Sequence, residues 1–309
     1  MLQNVITISA NGANTGVTFY QSHKFTVLQD AYAIKWIRDE KLTDRQYLFM
    51  TAAISKAIYG NYEWTNKAGW ERIKTEKIKL PVAADGEIDF GFIDEFVAEL
   101  ETQRVAELET YLNITGLKDY LLTEEENKVL SDFPNWQWKT FNLKSLFGPA
   151  TRGKRLKSDD RISGELPFVT AGEANEGISA FIGNEVDIFK ANTTTIDMFG
   201  SAKYRNYEYG GDDHIAVVHT ENIPRMSAIF ITTAIHKSSH SGQFDYSRNF
   251  YAKDADELLI RLPVSEDKPN YEDMALLIKA IHKLIIKDVV KYADNKINAT
   301  REVIRCRES

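Results

Sequence analysis

The chain has 309 residues, 43% of them apolar and 27% charged, with a formal net charge of −7 and a single cysteine, Cys306. That length suffices for two domains, each burying its own core, while one thiol excludes both an intramolecular disulfide and a thiolate metal cluster. No stretch approaches the roughly 20 apolar residues of a membrane span, and the first residues lack the order of a signal peptide, so a cytoplasmic protein with no membrane contact is expected.

The first predicted element is a strand at Val5-Ile6-Thr7-Ile8, followed by a turn at Gly12, Asn14 and Gly16 and a second strand at Phe25-Thr26-Val27-Leu28. Tyr47, Leu48, Met50, Ala53, Ile54 and Ile58 have helical spacing and predict a helix over 43–58. Trp64, Trp70 and Ile73 then lead into a strand at Ile78–Val82. The next helix runs over 89–112 on a stripe of Ile93, Phe96, Val97, Leu100, Leu108, Tyr111 and Leu112, and Gly116 stops it. A shorter helix follows at 123–131, where Thr123 and Glu126 stand at capping-box spacing.

A second unit opens at Phe133-Pro134-Asn135-Trp136. Strands are expected at Leu166–Thr170, Thr193–Met198, His214–Val218 and Leu258–Leu262, and a helix at 225–236. The final helix, 271–293, carries Met274, Leu277, Ile278, Ile281, Leu284, Ile285, Val289 and Tyr292 at 3-4 spacing. At ~1.5 Å per residue it makes a rod of about 35 Å, and two such rods with matching stripes would pack as a coiled coil.

The two units repeat each other. Ile78-Lys79-Leu80-Pro81-Val82 recurs as Ile260-Arg261-Leu262-Pro263-Val264, each time ahead of a long helix. Asn4–Ile8 parallels Asn192–Ile196, Asp30–Ala33 parallels Asp213–Ala216, and Gly60–Trp64 parallels Gly242–Tyr246. A period this long marks a duplicated domain, since solenoid units repeat every ~20–50 residues. Residues 136–190 have no counterpart in the first unit. The charge is divided as well: residues 83–133 hold fourteen acids against three bases, which leaves the rest of the chain mildly basic. An acidic connector is repelled by phosphate, whereas the basic units can approach it.

The sequence contains no phosphate-binding Gly-rich loop, zinc-protease motif or nucleophile elbow. Asp212-Asp213-His214 is the one dense ionisable cluster; a metal-dependent nuclease site is one reading, and a turn into a buried strand is the favoured one. Other segments suit nucleic acid. Arg152, Lys154, Arg155 and Lys157 flank a flexible Gly153 in a stretch suited to a phosphate backbone. Lys203, Tyr204, Arg205 and Tyr207 mix bases with aromatics, and Lys237, Ser239, Gln243, Tyr246 and Arg248 form a donor-rich segment able to reach base edges.

The run Leu166–Ser179, with Thr170 and Asn175 inside it, then Thr195–Gly200, Asp212–Ile215 and Leu262–Val264, resembles the target-recognition domain of type I and BcgI-like restriction–modification specificity subunits. Ile78–Val82 followed by Asp85–Phe90 is similar to the same family. The resemblance implies an α+β fold of two target-recognition domains joined by two long antiparallel helices that form a coiled coil. The first domain would be partial, at 1–88, with central spacer helices at 89–132. The second domain would occupy 133–268, and a C-terminal spacer helix and tail 269–309.

The implied function is non-catalytic recognition of a bipartite site in double-stranded DNA, directing methyltransferase (M) subunits docked on the spacer helices and, through the complex, a restriction (R) subunit. No cofactor or metal is implied for this chain; S-adenosylmethionine, ATP and Mg²⁺ would belong to its partners. A part-domain exposes strand edges and apolar surface, which predicts either self-association or poor solubility. The alternative is a helical assembly or dimerisation protein without sequence-specific DNA binding.

Overall fold

A computed structural model describes residues 1–38 and 40–308, with side chains up to residue 299; the thiol of Cys306 lies outside the described side chains. The chain divides into two units, Met1–Ile114 with the residues from Ala293 onward, and Thr115–Tyr292.

In the first unit, β1 (Val5–Ser9) is the centre of a three-stranded antiparallel sheet, flanked by β2 (Thr18–Gln21) and β3 (Ala31–Ile34). The strand expected at Phe25–Leu28 does not form. Both edges of β1 are already occupied, Phe25 makes only an isolated bridge to Leu2, and Leu28 is exposed. Helix α1 (Asp44–Ile58) starts at Thr43, whose hydroxyl accepts from the Gln46 N–H while the Gln46 side chain accepts from the Thr43 N–H. Its apolar face packs Tyr47 and Met50 with Ile6 of the sheet, against Trp36, Leu80 and Phe90. A short helix α2 (Trp70–Ile73) precedes α3 (Phe90–Ile114).

The second unit begins with α4 (Glu124–Asp132), where the expected capping box of Thr123 and Glu126 is realised in both directions. Next come β4 (Trp138–Asn142), α5 (Leu143–Phe147) and β5 (Thr151–Arg152). Two four-stranded sheets follow. One has the order β10-β9-β12-β5, from β9 (Thr193–Asp197), β10 (Ala202–Arg205) and β12 (Ile215–Val218) with β5. The other is β7-β6-β11-β8, from β6 (Ser163–Val169), β7 (Ile178–Ile182), β8 (Ile188–Phe189) and β11 (Tyr209–Gly211). Helix α6 (Arg225–Ser239) buries Ile231 and Ile235 against Ile196, Ala216, Ile260 and Leu262. The chain then passes through α7 (Ala252–Glu257), β13 (Leu259–Ser265), β14 (Lys268–Pro269) and the long α8 (Tyr271–Glu308).

The duplication extends to individual hydrogen bonds. Asn4 and Asn192 both adopt positive φ, 53° and 66°, just before the central strand. Each amide oxygen accepts from a tyrosine on the next strand, Tyr20 at 3.2 Å and Tyr204 at 2.9 Å. One rung away, Gln21 donates to Thr7 and Arg205 to the equivalent Thr195. Strand pairing also corrects the sequence alignment by one residue. Ala31 lies opposite Ser9 as Ile215 lies opposite Asp197, so Asp30 corresponds to His214 and not to Asp213.

The repeat fails at one place. Ile260–Val264 lies in β13, paired antiparallel with β4 from Leu259↔Asn142 to Pro263↔Trp138. Ile78–Val82, expected as a strand, makes only the bridge Val82↔Ile88. Its sequence is as strand-like as its twin's. What differs is the partner, because β4 belongs to the stretch with no counterpart in the first unit.

Each unit ties α8 to an earlier segment by a lysine. Within the first unit Lys296 of α8 approaches Glu101 of α3 at 4.0 Å. Within the second, Lys283 of α8 reaches Leu121 O at 2.9 Å, Glu126 at 3.0 Å and Asp119 at 3.4 Å. Burial alone would lower the Lys283 pKa; the carboxylates of Glu126 and Asp119 more than offset it, so the ammonium is held above its ordinary range. Among the described residues no helix is long and apolar enough to cross a membrane.

Candidate nucleic-acid interface

Strand direction gathers the loops of the second unit. The C-terminal end of β9, the N-terminal ends of β10 and β12 and the C-terminal end of β5 fall together through the pairs Ile196↔Ala202, Ile196↔Ala216 and Ala216↔Arg152. The parallel pair of β6 and β11 ends at Val169↔Gly211 beside them, and the Asp212 N–H donates to Val169 O. Segments 153–157, 170–177, 198–201 and 212–214 therefore emerge at one end of the unit. The end of α6 joins them, since the Ser239 hydroxyl donates to Gly200 O at 2.6 Å.

These loops are held by backbone and buried groups. Gly153 lies so close to Gly211 that a Cβ would stand 1.7 Å from its carbonyl oxygen, and the next N–H, of Lys154, donates to that same oxygen at 3.0 Å. Asp197, buried at 3% exposure, accepts from the N–H groups of Phe199, Ser201 and Gly172. Asp212 accepts from Leu156 N–H at 3.2 Å, which makes it an anchor of the basic loop. Asp213 and His214 form the turn into the buried β12, as the favoured reading of this cluster required. Its three ligand-type atoms lie within 4.8 Å of one another; Asp212 accepts from Leu156 N–H, while Asp213 Oδ1 is buried with His214 Nδ1 at 3.0 Å and the Arg155 guanidinium at 3.8 Å.

On this frame most of the expected DNA-contacting residues project from one end. Arg152, Lys154, Arg155 and Lys157 are exposed; Lys154 pairs with Asp187 at 3.0 Å and Arg155 with Asp213 at 3.8 Å. Such solvent-facing pairs contribute ~0–1 kcal/mol each, so a phosphate can displace them. Thr170 is half-buried and Asn175 exposed in a left-handed turn (φ 48°). Lys203 donates to Ser201 Oγ and Glu173. The Glu173 carboxyl is held below its usual range, first by the Ser201 hydroxyl and also by Lys203. Tyr246, 86% exposed, stands edge-on to Phe199 at 5.1 Å, and the exposed Arg248 covers the Phe244 ring at 5.3 Å. Gln243 is exposed, its amide braced by Ser241 N–H at 2.9 Å and Ser238 O at 2.9 Å.

Five of the expected contact residues need correction. Lys203, Tyr204 and Arg205 lie in β10. Arg205 is 1% exposed and Ser239 fully buried, so both are scaffold. Tyr204 and Tyr207 sit toward the other end of β10, tied to Asn192 and Arg205. Lys237 lines a groove with Phe133, Trp138 and Phe230. Phe199 and His240 share the loop end through a 3.1 Å contact between His240 Nδ1 and Phe199 O.

His236 Nδ1 accepts from Ala202 N–H at 3.1 Å, a bond only the unprotonated ring can make. Burial, then the charge of His240, lowers its pKa below the ordinary 6.5. The unfolded chain then binds more protons than the folded one, so this stability is present above the ordinary pKa and is lost as pH falls through the lowered value. The thermal midpoint should therefore decline between about pH 7.5 and 5 more steeply in the parent than in His236→Gln; parallel declines would remove His236 as a cause.

Fold and loop end together define a class, a duplicated α+β scaffold that presents basic and aromatic loops for nucleic-acid recognition. The chain belongs to the type I restriction modification DNA specificity domain family, whose model matches residues 2–110 and 135–292. It is 24% identical over 259 residues to the type II restriction enzyme BgcI specificity subunit S.BcgI of Heyndrickxia coagulans, across 82% of this chain and 72% of that one. Its fold is similar to the crystal structure of a type I restriction–modification system S subunit from M. genitalium, with a TM-score of 0.51 at 16% identity over 98% of this chain and 81% of that one.

Proposed function

We propose that this chain is a non-catalytic DNA sequence-recognition subunit that directs methyltransferase and restriction subunits to a bipartite site. The observation that carries the reading is the convergence of loops 153–157, 170–177, 198–201 and 239–248 at one end of the second unit, held on a rigid frame. Phosphate would be met by Arg152, Lys154, Arg155, Lys157 and Lys203, and base edges by Thr170, Asn175, Gln243, Tyr246 and Arg248. The recognition heads are residues 1–88 and 133–268, with 89–132 and 269–309 as spacers. The spacer helices would dock the methyltransferase, which suits the exposed Leu284, Ile285 and Val289 of α8. DNA as ligand implies a cytoplasmic setting.

Co-purification with a methyltransferase subunit, then binding-site selection on random duplex DNA at moderate salt, tests this reading. An enriched motif supports it, and no enrichment from a well-folded complex rejects it. Lys154→Ala and Arg155→Ala should each weaken binding to all sequences and reduce the salt slope by about 1. Gln243→Ala should alter preference among sequences, and an equal loss on every sequence would remove it from the readers.

A further inference from the structure

The segment Ile78–Val82 and its twin Ile260–Val264 make the same hairpin contact on one side: Asp89 N–H donates to Pro81 O as Asn270 N–H donates to Pro263 O. On the other side they differ. In the second unit the edge is covered by β4, with Ile260↔Phe141 and Leu262↔Lys139 in register. Trp136 in the lead-in to β4 and Trp138 at its start pack on Phe230 of α6 at 6.4 and 6.3 Å. In the first unit the backbone of Ile78–Leu80 has no hydrogen-bond partner among the described residues. The face that the lead-in would cover is bare too. Phe96 stands where Leu277 lines the second unit's groove, and Phe96, Phe92 and Leu48 are exposed at 43%, 50% and 46%. Phe92 and Phe96 stack on each other at 5.9 Å and Phe49 meets Phe96 edge-on at 6.1 Å, which leaves an exposed aromatic surface; unpaired backbone with such a surface is a template for pairing with another strand.

Charge specifies the occupant further. Lys77 and Lys79 are exposed on this edge and make no ion pair among the described residues. In the twin register their positions face Asn142 and Thr140. Residues directly opposite in an antiparallel pair interact, and opposite charges there are favourable.

We propose that Ile78–Val82 is a strand-acceptor site, completed by a β-strand of another polypeptide that sets an apolar residue against Ile78, carboxylates against Lys77 and Lys79, and aromatic residues over Phe96. The proposal is independent of the DNA-reading assignment. Main-chain pairing supplies the affinity of such strand addition and the alternate side chains its specificity.

The probe is a labelled peptide of residues 133–142, tested as such and with Thr140→Glu and Asn142→Glu, titrated into the full chain. Binding is followed by anisotropy and by amide hydrogen exchange. The expected result is protection of the Ile78 and Leu80 amides by at least about tenfold at saturation. The diglutamate peptide should bind more tightly, and Lys77→Glu with Lys79→Glu should abolish that gain. Phe96→Asp should weaken both peptides, with circular dichroism confirming that the variant is folded. The proposal is overturned if saturating peptide leaves the Ile78 and Leu80 amides unprotected, or if charge reversal changes nothing. Protection that grows with the chain's own concentration, without peptide, would assign the edge to a second copy and overturn the separate partner.

Discussion

Arg205→Ala is expected to lower the unfolding free energy by about 3–5 kcal/mol, from cavity formation plus broken buried hydrogen bonds. The side chain is 1% exposed. Its Nε donates to Thr195 Oγ1 and one terminal nitrogen to the Tyr207 hydroxyl, both at 2.9 Å, while the guanidinium covers the Tyr209 ring at 5.9 Å. Among the described residues no carboxylate pairs with it. Removing it therefore relieves a desolvated charge but deprives two hydroxyls of their donor and empties a slot roughly the size of the side chain. The second group of effects should win, because this is a truncation and not a repacking. Urea denaturation measures it, and a loss under about 1 kcal/mol would show that the buried charge was the costlier state. Below its unfolding transition the variant should bind DNA within about twofold of the parent, which separates scaffold from reader.

Gly200→Ala should cost about 3 kcal/mol or more, and the equivalent Gly16→Ala about 1–2 kcal/mol. Both glycines sit at nearly the same positive φ, 82° and 83°, in the turn after the central strand. Both approach the last residue of the following helix. A Cβ on Gly200 would stand 2.1 Å from Ser239 O, whereas one on Gly16 would stand 3.3 Å from Ile58 O. The cause of the difference is visible: the Ser239 hydroxyl donates to Gly200 O and draws the turn onto the helix, and Ile58 has no hydroxyl to do so. Thermal unfolding of the two variants side by side decides the point. Equal losses would mean that φ strain alone governs both sites.

The contrast explains what the sequence could reveal. The start of α4 is legible because Thr123 caps through a neighbour three residues away, and such local chemistry needs no knowledge of the rest of the chain. The duplication was legible because its landmarks, Asn4 and Asn192 among them, carry unusual backbone conformations. Ile78–Val82 was misread since a strand is a property of two segments, and its partner is not in the first unit. Polarity alone points Arg205 and Ser239 toward the surface, although each is buried and satisfied internally. The basic loop and the Tyr246 region were placed correctly at an exposed position, but only strand register shows that they share one end.

The way those loops are anchored bears on how such a protein can change. Their course is fixed by contacts that no exposed side chain makes: Gly153 against Gly211, Lys154 N–H on Gly211 O, and buried Asp197 holding Phe199, Ser201 and Gly172. Exposed side chains such as Arg152 and Lys157 are left almost free of structural duty. Mutational drift can then sample new side chains at those points one at a time, each intermediate still folded, so that the scaffold persists while its ligand preference wanders.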